Sequence, residues 1–122
     1  MPKTIMIVDD SASLRQVVNI ALTQAGYEVI EACDGQDALN RLDGRKVHLV
    51  ISDVNMPVMD GITFVTELKK RAEYRFVPVI MLTTEAGEQK KLAGQAAGAK
   101  AWVVKPFQPA TMLAAVAKLI LP

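Results

Sequence analysis

Residues 47–53 read VHLVISD, an apolar run rich in valine and isoleucine that ends in a carboxylate, Asp53. Three other stretches repeat the pattern: TIMIV (4–8) runs into Asp9 and Asp10, VPVIML (77–82) into Thr83, and AWVV (101–104) into Lys105. Short apolar runs without polar alternation fit parallel strands covered on both faces. In an open sheet of such strands the carboxyl ends line one edge, and ligands bind in the crevice just outside it. Asp9, Asp10, Asp53, Thr83 and Lys105 would meet there although they are far apart in sequence. Carboxylates, a hydroxyl and an ammonium on one rim can hold a divalent cation and a phosphate together.

Helical periodicity fills the spaces between the runs. Leu14, Val17, Val18, Ala21, Leu22 and Ala25 follow the i, i+3, i+4 pattern of one helical face, and Gly26 closes that helix. Glu28 to Cys33 reads as a second strand whose Glu28 and Glu31 suit a sheet edge. Asp34-Gly35 opens a helix carrying Ala38, Leu39 and Leu42, which Asp43-Gly44 ends. Asp60 caps a third helix with Phe64, Val65, Leu68 and Ala72 inward. The last helix places Leu113, Val116, Ala117, Ile120 and Leu121 on one face. Between Thr84 and Ala97 the apolar side is mostly alanine around Leu92, weakened by Gly87 and Gly94, so this helix is expected to pack least firmly. The sum is five βα units: a single doubly wound (βα)5 α/β sheet.

Composition narrows the function classes. A chain of 122 residues that is 51% hydrophobic can bury one sizeable core. With 14 basic and 13 acidic side chains there is no global charge to attract nucleic acid or an anionic membrane, so neither is expected as a partner. Cys33 is the sole cysteine and excludes an internal disulfide. Met1 leads straight into a strand with no signal peptide, and no apolar run approaches bilayer length, so a cytoplasmic protein is expected.

The pair Asp9-Asp10, the stretch DVNMPVMDG (53–61), Thr83-Thr84 and Lys105-Pro106-Phe107, in this order and spacing, resemble the receiver domain of bacterial two-component response regulators. The resemblance covers essentially the whole chain and is greatest to the stand-alone chemotaxis regulators, which implies residues 1–122 as one receiver domain with no output domain. It also implies a flavodoxin-like fold with strand order 2-1-3-4-5, an order the periodicity alone does not give. A receiver of this kind accepts a phosphoryl group on an aspartate, here Asp53, from a phosphohistidine on a sensor kinase. It is a switch that promotes its own phosphorylation and dephosphorylation rather than an enzyme acting on other molecules. The implied partners are a chemotaxis histidine kinase, the flagellar motor switch and a phosphatase. The alternative is a phosphate shuttle or sink in another phosphorelay, or, further off, a receiver-like module that binds without phosphorylation.

Chemistry accounts for the residue types. An aspartate approaching a phosphoryl donor crowds anions together, and Mg²⁺, which favours about six oxygen ligands, neutralises them. Asp10 and Asp53 are assigned as direct ligands, Asp9 as a ligand directly or through water, and the Asn55 main-chain carbonyl as a further contact. Lys105 adds a compact positive charge against a phosphoryl oxygen. Thr83, drawn toward the phosphoryl group, would pull on the loop before the fourth helix and so transmit the signal. Asn55 and Glu85 are expected to govern access of the hydrolytic water. Trp102 stands where the family usually has the Tyr or Phe of an aromatic switch; it is bulkier and lacks the phenolic oxygen. The Lys105-Pro106 bond would be cis by the same resemblance.

Each residue also has a structural explanation when taken singly. Asp10-Ser11 and Thr83-Thr84 can cap helices, Asp9 can be a loop acid and Lys105 a surface lysine beside a turn proline. Their arrival together at successive strand ends separates function from coincidence. Lys90, Lys91 and Lys118 read as a solvated face, His48 as a packed strand residue, and Cys33 with the six methionines as structural. Rival activities lack their signatures. A flavodoxin-type carrier would set its flavin phosphate against Asp9-Asp10, and no GxxxxGK[ST] loop is present. An aspartyl-phosphate phosphohydrolase would need D-x-D after the first strand and a cap domain.

Overall fold

The computed structural model describes residues 2–83 and 95–120. Its five strands are β1 (Thr4–Val8), β2 (Glu28–Ala32), β3 (Leu49–Asp53), β4 (Val79–Thr83) and β5 (Ala101–Val104). They form one parallel sheet in the order β2-β1-β3-β4-β5, the flavodoxin-like arrangement that the resemblance implies. Three helices, α1 (Ala12–Gln24), α2 (Gly35–Leu42) and α3 (Gly61–Lys70), and a C-terminal helix (Pro109–Leu119) are described around it. The chain between Thr84 and residue 94, where the weak fourth helix was expected together with Glu85, Lys90 and Lys91, lies outside the described residues; 95–97 are helical.

Alternation along the strands builds two cores. Met6, Val8, Val50 and Met81 face a cluster shared with Leu39 and Leu42 of α2 and with Phe64, Val65 and Leu68 of α3. Ile5, Ile7, Ile51, Ile80 and Leu82 face the other, shared with Val18 and Leu22 of α1 and with Met112 and Val116 of the C-terminal helix. Removing such side chains from water stabilises the fold by roughly 1.5–3 kcal/mol each before the entropy of ordering is counted. Because both faces are covered, a strand cannot slip by one residue without exchanging its two sets of contacts.

Local chemistry ends the elements as expected at several points. Ser11 caps α1 by accepting from the Leu14 N–H, Asp34 caps α2 through the Asp37 N–H, and Asp60 caps α3 through the Thr63 N–H. Gly26 follows α1 at φ 97°, a conformation L side chains rarely adopt. Five residues differ from the periodicity. Val17 is 50% exposed, so the inward stripe of α1 is narrower than its apolar residues suggest. Ala72 begins a 3-10 turn (Ala72–Tyr74) after α3 has ended, and Ala117 faces solvent. His48 precedes β3, where its ring accepts from the Thr4 N–H instead of packing within a strand. Cys33 lies just past β2 and is exposed.

Candidate functional site

Sheet register assembles the site. Val8 is level with Ser52, so Asp9 emerges beside Asp53; Asp53 is level with Leu82, and Thr83 with Val104, so Thr83 and Lys105 follow on the same edge. Asp9, Asp53 and Thr83 are buried, while Asp10 and Asn55 are exposed at the mouth. One carboxylate oxygen from each of Asp9, Asp10 and Asp53 lies within 4.8 Å of the other two. That spacing suits a single small divalent cation with hard oxygen ligands.

Lys105 closes the far side. Its Nζ donates to Asp9 Oδ2 at 2.9 Å and lies 3.4 Å from Asp53 Oδ2. Burial acts to lower its pKa, but the hydrogen bond and charge of Asp9, with Asp53 behind them, outweigh burial and hold the ammonium above its ordinary value. Asp53 shows the opposite balance. Burial first, and then the charge of Asp9, push its carboxyl above the usual range despite Lys105 and the Val54 N–H. Three carboxylates thus face a single ammonium, an imbalance that a bound cation would relieve. Asp9 is already engaged on both oxygens, Oδ1 by the Ser11 N–H at 2.8 Å and Oδ2 by Lys105.

The surrounding backbone fixes these groups. Thr83 ends β4, and its carbonyl accepts from the Lys105 N–H at 2.7 Å, so the loops carrying hydroxyl and ammonium are tied together. The Lys105-Pro106 peptide bond is cis, as the resemblance implies. Trp102 is half-buried on β5 against the α2–α3 core, and its indole N–H is buried with no partner among the described residues. An apolar groove of about 440 Å³ lined by Leu14, Val17, Pro106 and Phe107 adjoins Lys105.

Three supporting residues have roles that the sequence alone does not reveal. Arg15 reaches from α1 to donate to the Asp9 carbonyl at 2.6 Å while pairing with Glu31 at 3.1 Å, which fixes the acidic loop. The buried Ser52 hydroxyl donates to the Asp53 carbonyl at 2.9 Å. Gly61, which closes the DVNMPVMDG stretch, permits a close approach: a Cβ there would lie 2.0 Å from the Asp53 carbonyl oxygen. A glycine after a capping aspartate marks a turn, but nothing in the sequence says what would collide with a side chain.

A parallel α/β sheet whose strand ends join three carboxylates to one lysine defines a class of domain fitted for a divalent cation and a phosphoryl group. The chain belongs to the response regulator receiver domain family, whose model matches residues 5–117. Among solved structures it is similar to the chemotaxis protein CheY4 of Vibrio cholerae, with 44% identity, a TM-score of 0.95 and coverage of 98% of this chain and 100% of that one. Chemotaxis protein CheY1 of Helicobacter pylori is 36% identical over 107 residues, 86% of each chain. The receiver domain of the sensor histidine kinase PA1611 from Pseudomonas aeruginosa, 25% identical with a TM-score of 0.89 over 98% of both chains, has a magnesium ion coordinated in its active-site cleft. The chain spans less than half the length of other curated relatives, covering 48% and 42% of two probable transcriptional regulators.

Proposed function

We propose that this protein is a stand-alone receiver that takes a phosphoryl group onto Asp53 in a Mg²⁺-dependent reaction and thereby changes its affinity for a partner in chemotaxis. The observation that carries the reading is the convergence of the Asp9, Asp10 and Asp53 oxygens within 4.8 Å beside the Lys105 ammonium. Similarity to two chemotaxis proteins over most or all of their lengths supports the stand-alone form and the pathway. The same likeness suggests a chemotaxis histidine kinase upstream, the flagellar motor switch downstream, a phosphatase and a cytoplasmic setting. No described helix is long and apolar enough to cross a membrane.

Bound Mg²⁺ would supply charge neutralisation between carboxylates and phosphoryl oxygens. Asp10 and Asp53 would hold it directly with the Asn55 carbonyl, and Asp9, with both oxygens engaged, through water. An Asp53 oxygen attacks phosphorus, the N–P bond of the phosphohistidine breaks, and the departing histidine nitrogen keeps the electron pair. Lys105 stabilises an equatorial phosphoryl oxygen, and its tether to Thr83 through the backbone links charge transfer to the end of β4. The Thr83 hydroxyl then draws toward the phosphoryl group and biases the neighbouring loop, while Trp102 occupies the aromatic position of the switch. The groove beside Lys105 offers an apolar surface on which a donor helix can settle. Water attack on the acyl phosphate returns the protein to its resting state, so it is a switch and not an enzyme with an external substrate.

Incubation with acetyl phosphate, with and without Mg²⁺, tests this by intact mass and Trp102 fluorescence. The wild type is expected to gain one phosphoryl group only with Mg²⁺, and Asp53→Asn none. An adduct that persists in Asp53→Asn, or that ignores Mg²⁺, would sink the reading. Thr83→Ala should retain labelling and lose partner binding.

A further inference from the structure

The opposite edge of the sheet, where the strands begin, carries a second concavity with different chemistry. It measures about 360 Å³, and Lys3, Lys46, His48, Glu73, Phe76 and Pro78 are among its lining residues. Phe76 is 89% exposed, the most exposed large apolar side chain among the described residues. A ring left in water this completely gains substantially when a partner covers it.

The walls are held in place. Tyr74 is buried beneath this segment, and its hydroxyl donates to the Arg45 carbonyl at 2.8 Å and the Leu42 carbonyl at 3.4 Å. The Val77 N–H donates to the Tyr74 carbonyl at 3.2 Å, so the chain bearing Phe76 and the loop bearing Lys46 share one anchor. His48 is fixed by two bonds to the start of β1: Nδ1 accepts from the Thr4 N–H at 2.9 Å, and the His48 N–H donates to the Thr4 carbonyl at 2.8 Å. With Nδ1 an acceptor, the neutral ring carries its proton on Nε2 and offers a donor. Burial, followed by the charges of Lys3 and Lys46, disfavours protonation of the ring, which places both ammonium groups in its electrostatic neighbourhood.

We propose that this concavity docks an acidic segment of a partner protein that also carries an aromatic or large aliphatic side chain. Its carboxylates face Lys3, Lys46 and the His48 donor, and its apolar side chain covers Phe76 and Pro78. Glu73 in the same wall selects among anionic partners. It repels the continuous phosphates of nucleic acid or a lipid surface, whereas a peptide brings N–H groups that can pair with it. Preset walls lower the ordering cost of such binding. Five-residue strands separate this site from Asp53 by about 16 Å, so both ends can be engaged at once. Docking at this end needs no phosphoryl group on Asp53.

The test is titration of the ¹⁵N-labelled protein with a short glutamate–phenylalanine peptide, followed by amide shifts at low and high salt. Shifts should centre on Lys3, Lys46, His48 and residues 73–78, and weaken as salt rises. Lys46→Glu, which replaces one exposed ion pair by a repulsion, should weaken binding about fivefold, and Phe76→Ser by a similar factor. Both side chains are exposed, so the fold should survive either change. Asp53→Asn should bind the peptide normally while refusing phosphate, which lets the two proposals fail separately. Absent shifts, shifts spread over unrelated lysines, or indifference to both variants would overturn the inference. So would stronger shifts of the same amides by oligothymidylate or by vesicles of phosphatidylcholine and phosphatidylserine.

Discussion

At the carboxyl ends of the strands three carboxylates share a pocket with one lysine, and burial holds the Asp53 carboxyl above its usual range. At the amino ends the loops are tied by neutral hydrogen bonds, Thr4 to His48 and Tyr74 to Arg45 and Leu42. The strands between them are the same, so the contrast lies in what their two ends are selected to do. Like charges crowded in a low-dielectric pocket oppose folding and create affinity for a cation. Neutral bonds that close loops hold the core shut and leave charged side chains free for other uses. The exposed loop after β3 adds to the first group: Val58 stands at φ 68°, which is strained for a β-branched residue.

Three substitutions measure this division. The largest effect is expected at the amino end, where Tyr74→Phe removes the donor to two carbonyls and should cost about 2 kcal/mol in chemical denaturation without altering phosphorylation. A loss of labelling with intact stability would erase the distinction between the ends. At the carboxyl end Val58→Asn should stabilise the protein by about 1 kcal/mol, because asparagine tolerates the left-handed backbone; an unchanged or lower thermal midpoint would show that the loop is not strained. The smallest effect concerns pH. Burial, with Lys3 and Lys46, sets the folded pKa of His48 below its ordinary value of 6.5, so on acidification the unfolded chain takes the proton first. Its contribution to stability should be complete above about 6.5 and fall away as pH drops below that value toward the folded pKa. His48→Asn, whose side-chain oxygen can replace Nδ1 as acceptor, should remove that pH dependence while keeping the bond. A slope that survives in this variant would assign the dependence elsewhere.

Much of the carboxyl end was legible in the sequence because its information is local and repeated. Each strand is a short apolar run, each ends in a polar residue, and parallel register then brings Asp9, Asp53, Thr83 and Lys105 together. Strand order came from resemblance, since runs of similar length do not reveal their neighbours. Arg15 was hidden because an arginine on a helix face looks solvated until its two targets are known. Val17 and Ala117 were misjudged for a related reason: periodicity marks the residues that suit a core, while the amount of surface available to cover them is a tertiary property. The amino-end concavity left even less trace, because Lys3, Lys46 and Phe76 come from three separate segments that no motif connects.

The ion pair between Asp9 and Lys105 joins residues 96 positions apart. The sheet must therefore close from β1 to β5 before the pocket has its positive charge. A half-folded copy has the aspartates without the lysine, so the charge balance of the pocket arrives only when the two outer parts of the sheet have met.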